Sequence, residues 1–141
     1  MAKPQTFSGD FLKLILNATT ITGIAQNAAS PNTNVFVALH TADPSAGTQS
    51  TSEISYTGYA RVGVARTTGG WTVTSNAASP AASVTFGAST GGTGGTASFW
   101  SVGELTSGTG KIFWSGAISP AIVVTSGITP ILTSASTITE S

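Results

Sequence analysis

The single histidine of this 141-residue chain offers the most obvious chemistry. His40 closes an apolar run and is followed by Thr41-Ala42-Asp43-Pro44, so an imidazole and a carboxylate stand close together in the sequence. Such a pair could serve a hydrolase if it activated a serine or threonine nucleophile. The sequence shows no strand-to-helix Gly-x-Ser-x-Gly elbow to present one. We therefore expect His40 to pack or to hydrogen-bond within a turn, and Asp43-Pro44 to form a turn.

The carboxylates offer a second chemistry. Asp43, Glu53 and Glu104 could supply the acid and the base or nucleophile of a glycosidase. A carbohydrate cleft also needs basic and amide groups around the acids, and the chain is short for a cleft of that kind. We therefore expect no catalytic residue and no enzyme activity.

Binding motifs for phosphate, nucleic acid and metal are equally weak. Gly91-Gly92-Thr93-Gly94-Gly95 has the glycine content of a phosphate loop, but no Lys-Ser or Lys-Thr follows it, so a flexible loop is expected. With one histidine, no cysteine and scattered acids, we expect no metal site, no cofactor and no small-molecule substrate. The basic residues are dispersed, which argues against nucleic-acid binding. They are Lys3, Lys13, Arg61, Arg66 and Lys111.

Two of these cations have a simpler role. Arg61 and Arg66 stand on a predicted strand and can pair with Glu53 or Glu104.

Charged residues are scarce throughout the chain. Only 7% of residues are charged and the net charge is zero, whereas an ordinary domain has about a quarter charged residues. Such a surface draws no charged ligand and is a solubility liability for a free monomer. The composition favours a packed protein whose faces contact other proteins.

The elements that must position these residues begin with a helix. Phe7, Phe11, Leu14 and Ile15 recur at helical spacing, and Ser8 is available as N-cap, which predicts a helix near residues 8–17. Leu12 and Leu16 add apolar groups on its other side, so the helix is expected to be covered by its own domain or by a neighbour. No apolar run reaches the length of a membrane span, and no signal peptide is expected.

From Val35 onward the pattern is one of short strands rich in Val, Ile, Phe, Trp and Thr, bounded by Gly, Pro, Asn or Ser. Thr106-Ser107-Gly108-Thr109-Gly110 is predicted to join two of them as a hairpin, and Thr68-Gly69-Gly70 to form another tight connection. The predicted strands are Val35–Thr41, Gly58–Arg66, Gly70–Ser75, Ala82–Phe86, Thr96–Leu105, Lys111–Ile118, Ala121–Thr125 and Ile131–Thr139.

About eight short strands predict an all-β fold, an antiparallel sandwich or barrel, with a short N-terminal helix. Of the two, we expect the sandwich. We divide the chain into an N-terminal arm with the helix, residues 1–30, and a β-sandwich domain, residues 31–141.

Several motifs together resemble a family of small virion proteins of tailed bacteriophages, described variously as capsid decoration (cement) proteins or as tail and fibre components. The resemblance covers most of residues 35–120. Its motifs are Ala38-Leu39-His40-Thr41-Ala42-Asp43-Pro44, Gly47-Thr48-Gln49, Glu53 to Arg61, Gly70-Trp71-Thr72-Val73 and Phe99-Trp100-Ser101-Val102-Gly103. It implies a phage particle, a jelly-roll-like sandwich and no known catalytic residue.

The expected function is therefore structural. The main hypothesis is a cement protein on the outer capsid surface that binds across junctions of the major capsid protein and stabilises the shell by mass action. The first alternative is a tail, tail-tip or fibre-attachment subunit. A glycan- or receptor-binding module, in which Trp71, Trp100 or Trp114 stacks on sugars, is the remaining one.

Aromatic and leucine side chains are the expected anchors of such an interface. A neutral unit with strand edges to hide is also expected to form dimers or trimers. Synthesis is expected in the host cytoplasm, with the virion as destination and with no partner among nucleic acids or membranes. The predicted interface residues are Phe7, Phe11, Leu12, Leu16, Tyr56, Tyr59 and Trp100.

Overall fold

The computed structural model describes residues 4–21 and 31–141. These residues form a single helix and ten strands, which confirms the all-β class with a short N-terminal helix. The elements are α1 (Gln5–Leu16), β1 (Asn34–His40), β2 (Ser55–Thr57), β3 (Val62–Ala65), β4 (Trp71–Thr74), β5 (Ala77–Pro80), β6 (Val84–Thr85), β7 (Gly91–Gly103), β8 (Ile112–Val124), β9 (Ile131–Leu132) and β10 (Ile138–Thr139).

The contacts within the chain define two compact units. The first comprises the described part of Met1–Val35 with Val64–Ser83 and Thr133–Ser141, and the second comprises Phe36–Gly63 and Val84–Leu132. The division into an arm and a β-sandwich domain stays a prediction, as does the jelly-roll topology. Residues 1–3 and 22–30 of the predicted arm lie outside the described residues.

In the first unit, α1 contacts β4 and β5 of a three-stranded antiparallel sheet with the order β10-β5-β4. Leu12, Leu16 and Trp71 are fully buried and form the centre of this unit. Gly9 is required because a Cβ there would fall on the carbonyl of Ser75. The helix is therefore held closely against the turn between β4 and β5.

The helix begins earlier than its sequence predicts. It starts at Gln5, and Ser8 lies buried inside it rather than at the N-cap. Pro4 occupies the N-cap position, and its carbonyl accepts the N–H of Ser8 at 3.1 Å. A proline costs nothing at this end, because its missing N–H is one that the first turn leaves unpaired in any case.

Arg66 completes the other end of the helix. Its Nε donates to the carbonyl of Ile15 at 2.6 Å, and its Nη2 donates to that of Leu14 at 2.9 Å. These carbonyls belong to the last turn, which lacks intrahelical partners. Nη1 also donates to the carbonyl of Asn32 at 2.7 Å. Arg66 therefore caps the C-terminal end of the helix, and its predicted pairing with a glutamate stays a prediction.

A five-stranded sheet has the order β2-β7-β1-β3, with β8 paired to β7 as well. β7 and β8, of 13 residues each, form a long antiparallel hairpin joined through residues 104–111, as the sequence predicts. Strands β6 and β9 form a small antiparallel pair in the second unit. Val37, Leu39 and Val102 are fully buried in the core of this sheet.

The glycine run from Gly91 to Gly95 is not the flexible loop that we expect from its composition. It forms the start of β7, where Gly94 pairs with Ser55 of β2 and Gly95 pairs with Val124 of β8. Gly92 and Gly94 have φ values of 87° and 64°, a region that favours glycine. Glycine here permits an irregular strand and a close approach of backbones rather than disorder.

The region 111–125 is one strand rather than two. β8 runs through Pro120, and the register moves from Phe99↔Ala117 to Ala97↔Ile122, so residues 118–121 bulge out opposite a single residue of β7. A proline is tolerated in such a bulge because no ladder hydrogen bond is required of it.

The remaining differences concern strand ends and polar strands. The predicted strand Ile131–Thr139 divides into β9 and β10, which belong to different sheets. β2 and β5 carry few β-branched residues and were missed by the pattern, because cross-strand pairing rather than propensity places them in sheets.

Candidate functional site

Six side chains of the second unit form a buried polar cluster. They come from the end of β1, the segment after it, the approach to β3, and the middle of β7. Most are nearly or fully buried, which is unusual for polar groups and requires that each be hydrogen-bonded. The cluster consists of His40, Gln49, Glu53, Tyr59, Arg61 and Ser101.

An ion pair lies at the centre of this cluster. Arg61 donates from Nε to Oε1 and from Nη2 to Oε2 of Glu53, each at 2.7 Å. The side chain of Arg61 is 2% exposed and that of Glu53 is 17% exposed. The hydrogen-bonded carboxylate raises the pKa of Arg61. This bidentate geometry is the strong form of the pair, and it confirms the predicted Arg61–Glu53 partnership.

Tyr59 ties the ion pair to β1. Its hydroxyl donates to Glu53 Oε1 at 2.9 Å and accepts the backbone N–H of Leu39 at 3.1 Å. Burial raises the pKa of Tyr59, so the phenol stays protonated and remains a donor. The Tyr59 ring also stacks on Phe86 and meets Tyr56 edge-on.

The cluster holds the loop between β7 and β8, residues 104–110, which we call the braced loop. The carbonyl of Leu105 accepts Arg61 Nη1 at 3.0 Å and Gln49 Nε2 at 3.2 Å, and the N–H of Leu105 donates to Gln49 Oε1 at 2.9 Å. The carbonyl of Gly108 accepts Arg61 Nη2 and Ser50 Oγ, both at 2.8 Å. Side chains thus satisfy the backbone of a loop that would otherwise rely on water.

Gln49 reaches the braced loop through a slot between two glycines. A Cβ on Gly103 or on Gly110 would collide with the Gln49 side chain, which is fully buried. The N–H of Gln49 also donates to the carbonyl of Gly110 at 2.9 Å. The base of the loop is closed by Glu104, whose Oε1 accepts the N–H of Lys111 at 2.8 Å.

The outer side of the braced loop faces solvent. Residues 105–109 are exposed, and Leu105 presents an apolar side chain that is 44% exposed. The arrangement combines a fixed main chain with an exposed apolar group, which suits contact with another surface.

His40 belongs to the inner part of the cluster. Its Nδ1 lies 2.9 Å from the carbonyl of Thr51, and its Nε2 lies 2.7 Å from Ser101 Oγ. Because a carbonyl only accepts, Nδ1 carries the proton and Nε2 accepts from Ser101. Burial lowers the pKa of His40 and keeps the ring neutral. Both side chains are fully buried, so no substrate reaches this His–Ser pair.

The three carboxylates considered for catalysis occupy separate positions. Glu53 bonds Arg61, Glu104 closes the hairpin, and Asp43 accepts the N–H of Ser45 at 2.9 Å in the turn that Asp43-Pro44 predicts. Each therefore has a local structural partner.

A Gly-x-Ser-x-Gly sequence connects β6 and β7. Gly87-Ala88-Ser89-Thr90-Gly91 has the spacing of a nucleophile elbow. Ser89 lies between β6 and β7 with no helix after it, is 2% exposed, and donates its backbone N–H to the carbonyl of Ile128. An elbow requires a strand-to-helix turn that exposes the serine, and this segment has neither feature.

The predicted interface residues differ in how far they are exposed. Leu12, Leu16, Tyr56 and Trp100 are buried within the chain, Phe11 and Tyr59 are half-buried, and Phe7 is 44% exposed. Of these, Phe7 presents the most open surface. The part that each plays in an interface stays a prediction.

Sequence reasoning missed Gln49 and Ser101 as members of the cluster. Gln49 stands in the Gly47-Thr48-Gln49 motif, but a glutamine gives no sign of its burial in the sequence. The available signal was the pair of glycines, Gly103 and Gly110, on either side of a predicted hairpin, since glycines there permit close approach of another group.

Among the described residues, no group of three or more His, Cys, Asp and Glu side chains is placed to hold a metal ion. In the same part of the chain, no helix has the length and apolar character that crossing a membrane requires.

A match to a known family places the chain among the small virion structural proteins of tailed bacteriophages. Over residues 11–139 it matches the family described as Podophage GP4 fiber I protein gp80, and it belongs to that family. The match covers most of the chain, so the virion is its location and the resemblance seen in the sequence is confirmed. No curated protein is similar enough to count as a relative.

Proposed function

We propose that the chain is a subunit of the phage tail or fibre apparatus and that its braced loop contacts a neighbouring virion protein. The family description names a fibre protein, which supports this alternative over the capsid-cement hypothesis. The observation that carries the proposal is the braced loop itself, where buried Arg61 and Gln49 fix the backbone beneath the exposed Leu105. A loop ordered before binding loses less conformational entropy in the complex.

The proposal assigns no catalytic role to the chain. His40 and Ser101 are sealed in the core, and the carboxylates of Glu53 and Glu104 have structural partners. The cluster acts as a support for the loop. It requires no cofactor and no small-molecule substrate.

A glycan-binding role has little support from the aromatic side chains. Trp71 is fully buried and Trp100 is 5% exposed, so neither offers a face on which a sugar could stack. Trp114 is half-buried on β8. Phe7 and Leu105, each 44% exposed, are better placed for contact with protein.

Copy number in purified virions tests the position on the particle. Quantitative mass spectrometry against the major capsid protein should give a number of copies per virion that is a small multiple of the number of tails or fibres. Immunogold labelling should place the label at the tail. A copy number near that of the major capsid protein, with label over the shell, would overturn the tail assignment and make the major capsid protein the partner. Absence from the virion would overturn the structural role altogether.

The role of the loop is tested by complementation of a phage lacking this gene. Leu105→Glu places a charge on the exposed loop and should reduce particle assembly or infectivity strongly. Ile128→Glu is the matched control, because Ile128 is also an exposed aliphatic side chain, at 40% exposure, in another loop. Equal loss in both variants, or in neither, would contradict the proposed contact.

A further inference from the structure

The outer edge of β8 has the properties of a self-association surface. Within the described residues, no strand other than β7 is paired with β8, so its other edge has no partner strand there. The bulge at residues 118–121 interrupts that edge and leaves its regular part at residues 112–117. Such an edge is a template for another strand.

The register shows which groups point outward. Leu39 donates its N–H to Tyr59 and accepts from Ile54 at its carbonyl, so both of its main-chain groups point away from β7. Its partner Trp100 therefore directs its own groups toward β8, because the pattern alternates along an antiparallel strand. By the same alternation, the main-chain N–H and C=O of Ser101 point toward β1.

The alternation carries through to β8. Gly116, opposite Trp100, bonds to β7, whereas Ser115 and Ala117, opposite Ser101 and Phe99, direct their N–H and C=O groups to the free edge.

The edge lacks the usual protection against pairing. Natural edge strands carry lysine or other charged side chains that repel an incoming strand. No charged residue lies between Ile112 and Val124, and the one interrupting proline, Pro120, is in the bulge beyond the regular part. The side chain of Ala117 is exposed, so no bulky group covers this end of the edge.

We propose that this edge pairs antiparallel with the same edge of a second copy, about a two-fold axis at Gly116. The axis places Ser115 of each copy opposite Ala117 of the other, so every outward N–H of these residues meets a C=O. No like charges face each other, and an interface of this kind is self-complementary. This inference goes beyond the proposed function and is tested on the isolated protein.

Sedimentation equilibrium of the full chain over a range of concentrations measures the pairing, with expected association into dimers. Ser115→Pro removes an outward N–H without removing a bond to β7, and should weaken dimerisation at least about tenfold. Ser115→Ala keeps the N–H and serves as the matched control, with unchanged association. Gly116 is left intact, since a Cβ there would meet the Trp100 indole at 3.3 Å.

A second variant keeps the test decisive if Ser115→Pro does not fold. Ala117→Lys places one cation on each side of the axis and should weaken dimerisation, with partial recovery at high salt, whereas Ala117→Gln should not. A chain that is monomeric at every concentration would overturn the proposal. Dimers that persist unchanged in both Ser115→Pro and Ala117→Lys would show a different interface and overturn it equally.

Discussion

The side-chain amide of Gln49 pairs with the main chain of Leu105 through two reciprocal hydrogen bonds, Nε2 to the carbonyl at 3.2 Å and the N–H to Oε1 at 2.9 Å. The amide thus takes the place of a neighbouring strand at the point where the β7–β8 hairpin opens into its loop. Since Gln49 is fully buried, each bond replaces one that water would make to an unsupported loop.

Replacing Gln49 by Ala should loosen the braced loop. The Leu105 N–H loses its partner and the Leu105 carbonyl keeps only Arg61 Nη1. We expect a loss of about 1–3 kcal/mol in the free energy of unfolding, together with faster amide exchange at Leu105. Urea unfolding and hydrogen exchange measure the two effects. Gln5→Ala removes an exposed amide bonded to Asn76 and should change stability by less than about 0.5 kcal/mol. Unchanged exchange at Leu105 would count against the bracing role.

Removing the guanidinium of Arg61 should be more costly. Arg61→Met removes the cationic partner of Glu53 and one of the donors to the carbonyls of Leu105 and Gly108. Breaking such a buried pair costs about 3–5 kcal/mol. Arg61→Lys keeps the charge but cannot reproduce the planar fork, so we expect an intermediate loss. Denaturant unfolding of the native chain and the two variants measures their free energies of unfolding, which should fall from the native chain to Arg61→Lys to Arg61→Met. Equal stability of Lys and Arg at this position would mean that charge alone matters.

The histidine should titrate at unusually low pH. Burial lowers the pKa of His40 below its ordinary 6.5, so the unfolded chain binds more protons than the folded one between the two values. The free energy of unfolding therefore falls as the pH drops from 6.5 toward the folded pKa, and this contribution is constant below it. His40 is the chain's single histidine, so its imidazole signals in an NMR titration are unambiguous.

A variant separates the contribution of His40 from that of other groups. In His40→Asn, the loss of stability between about pH 7.5 and about pH 5.5 should be smaller than in the native chain. An imidazole midpoint at or above 6.5 would contradict both the neutral ring and the assigned hydrogen bonds to Thr51 and Ser101.

The glycine slot around Gln49 can be tested directly. Gly103→Ala places a Cβ on the Gln49 side chain and should cost about 1–3 kcal/mol by overpacking. Gly69→Ala is the control, because the nearest group there is Thr67 Oγ1 at 3.6 Å, an ordinary contact. Thermal and urea unfolding compare the two. If Gly103→Ala matched Gly69→Ala in stability, Gln49 would have to move without cost, and the slot would not be tight.

Much of the architecture follows from local pattern. The helical spacing of apolar residues placed α1, and alternation with β-branched residues placed β1, β4 and the β7–β8 hairpin, because these signals act over neighbouring residues. The Arg61–Glu53 pair was also within reach, since a chain with so few charges offers each arginine few partners.

The sequence by itself determined the all-β class, the low charge content and, through its motifs, the membership in a family of virion proteins. Tertiary structure alone decided that the glycines from Gly91 to Gly95 form a strand, that β8 runs through its bulge, and that Gln49 and Ser101 join the buried cluster. The reason is physical: propensity and periodicity report on neighbours in sequence, whereas burial and hydrogen-bond partners are set by residues that lie far apart along the chain.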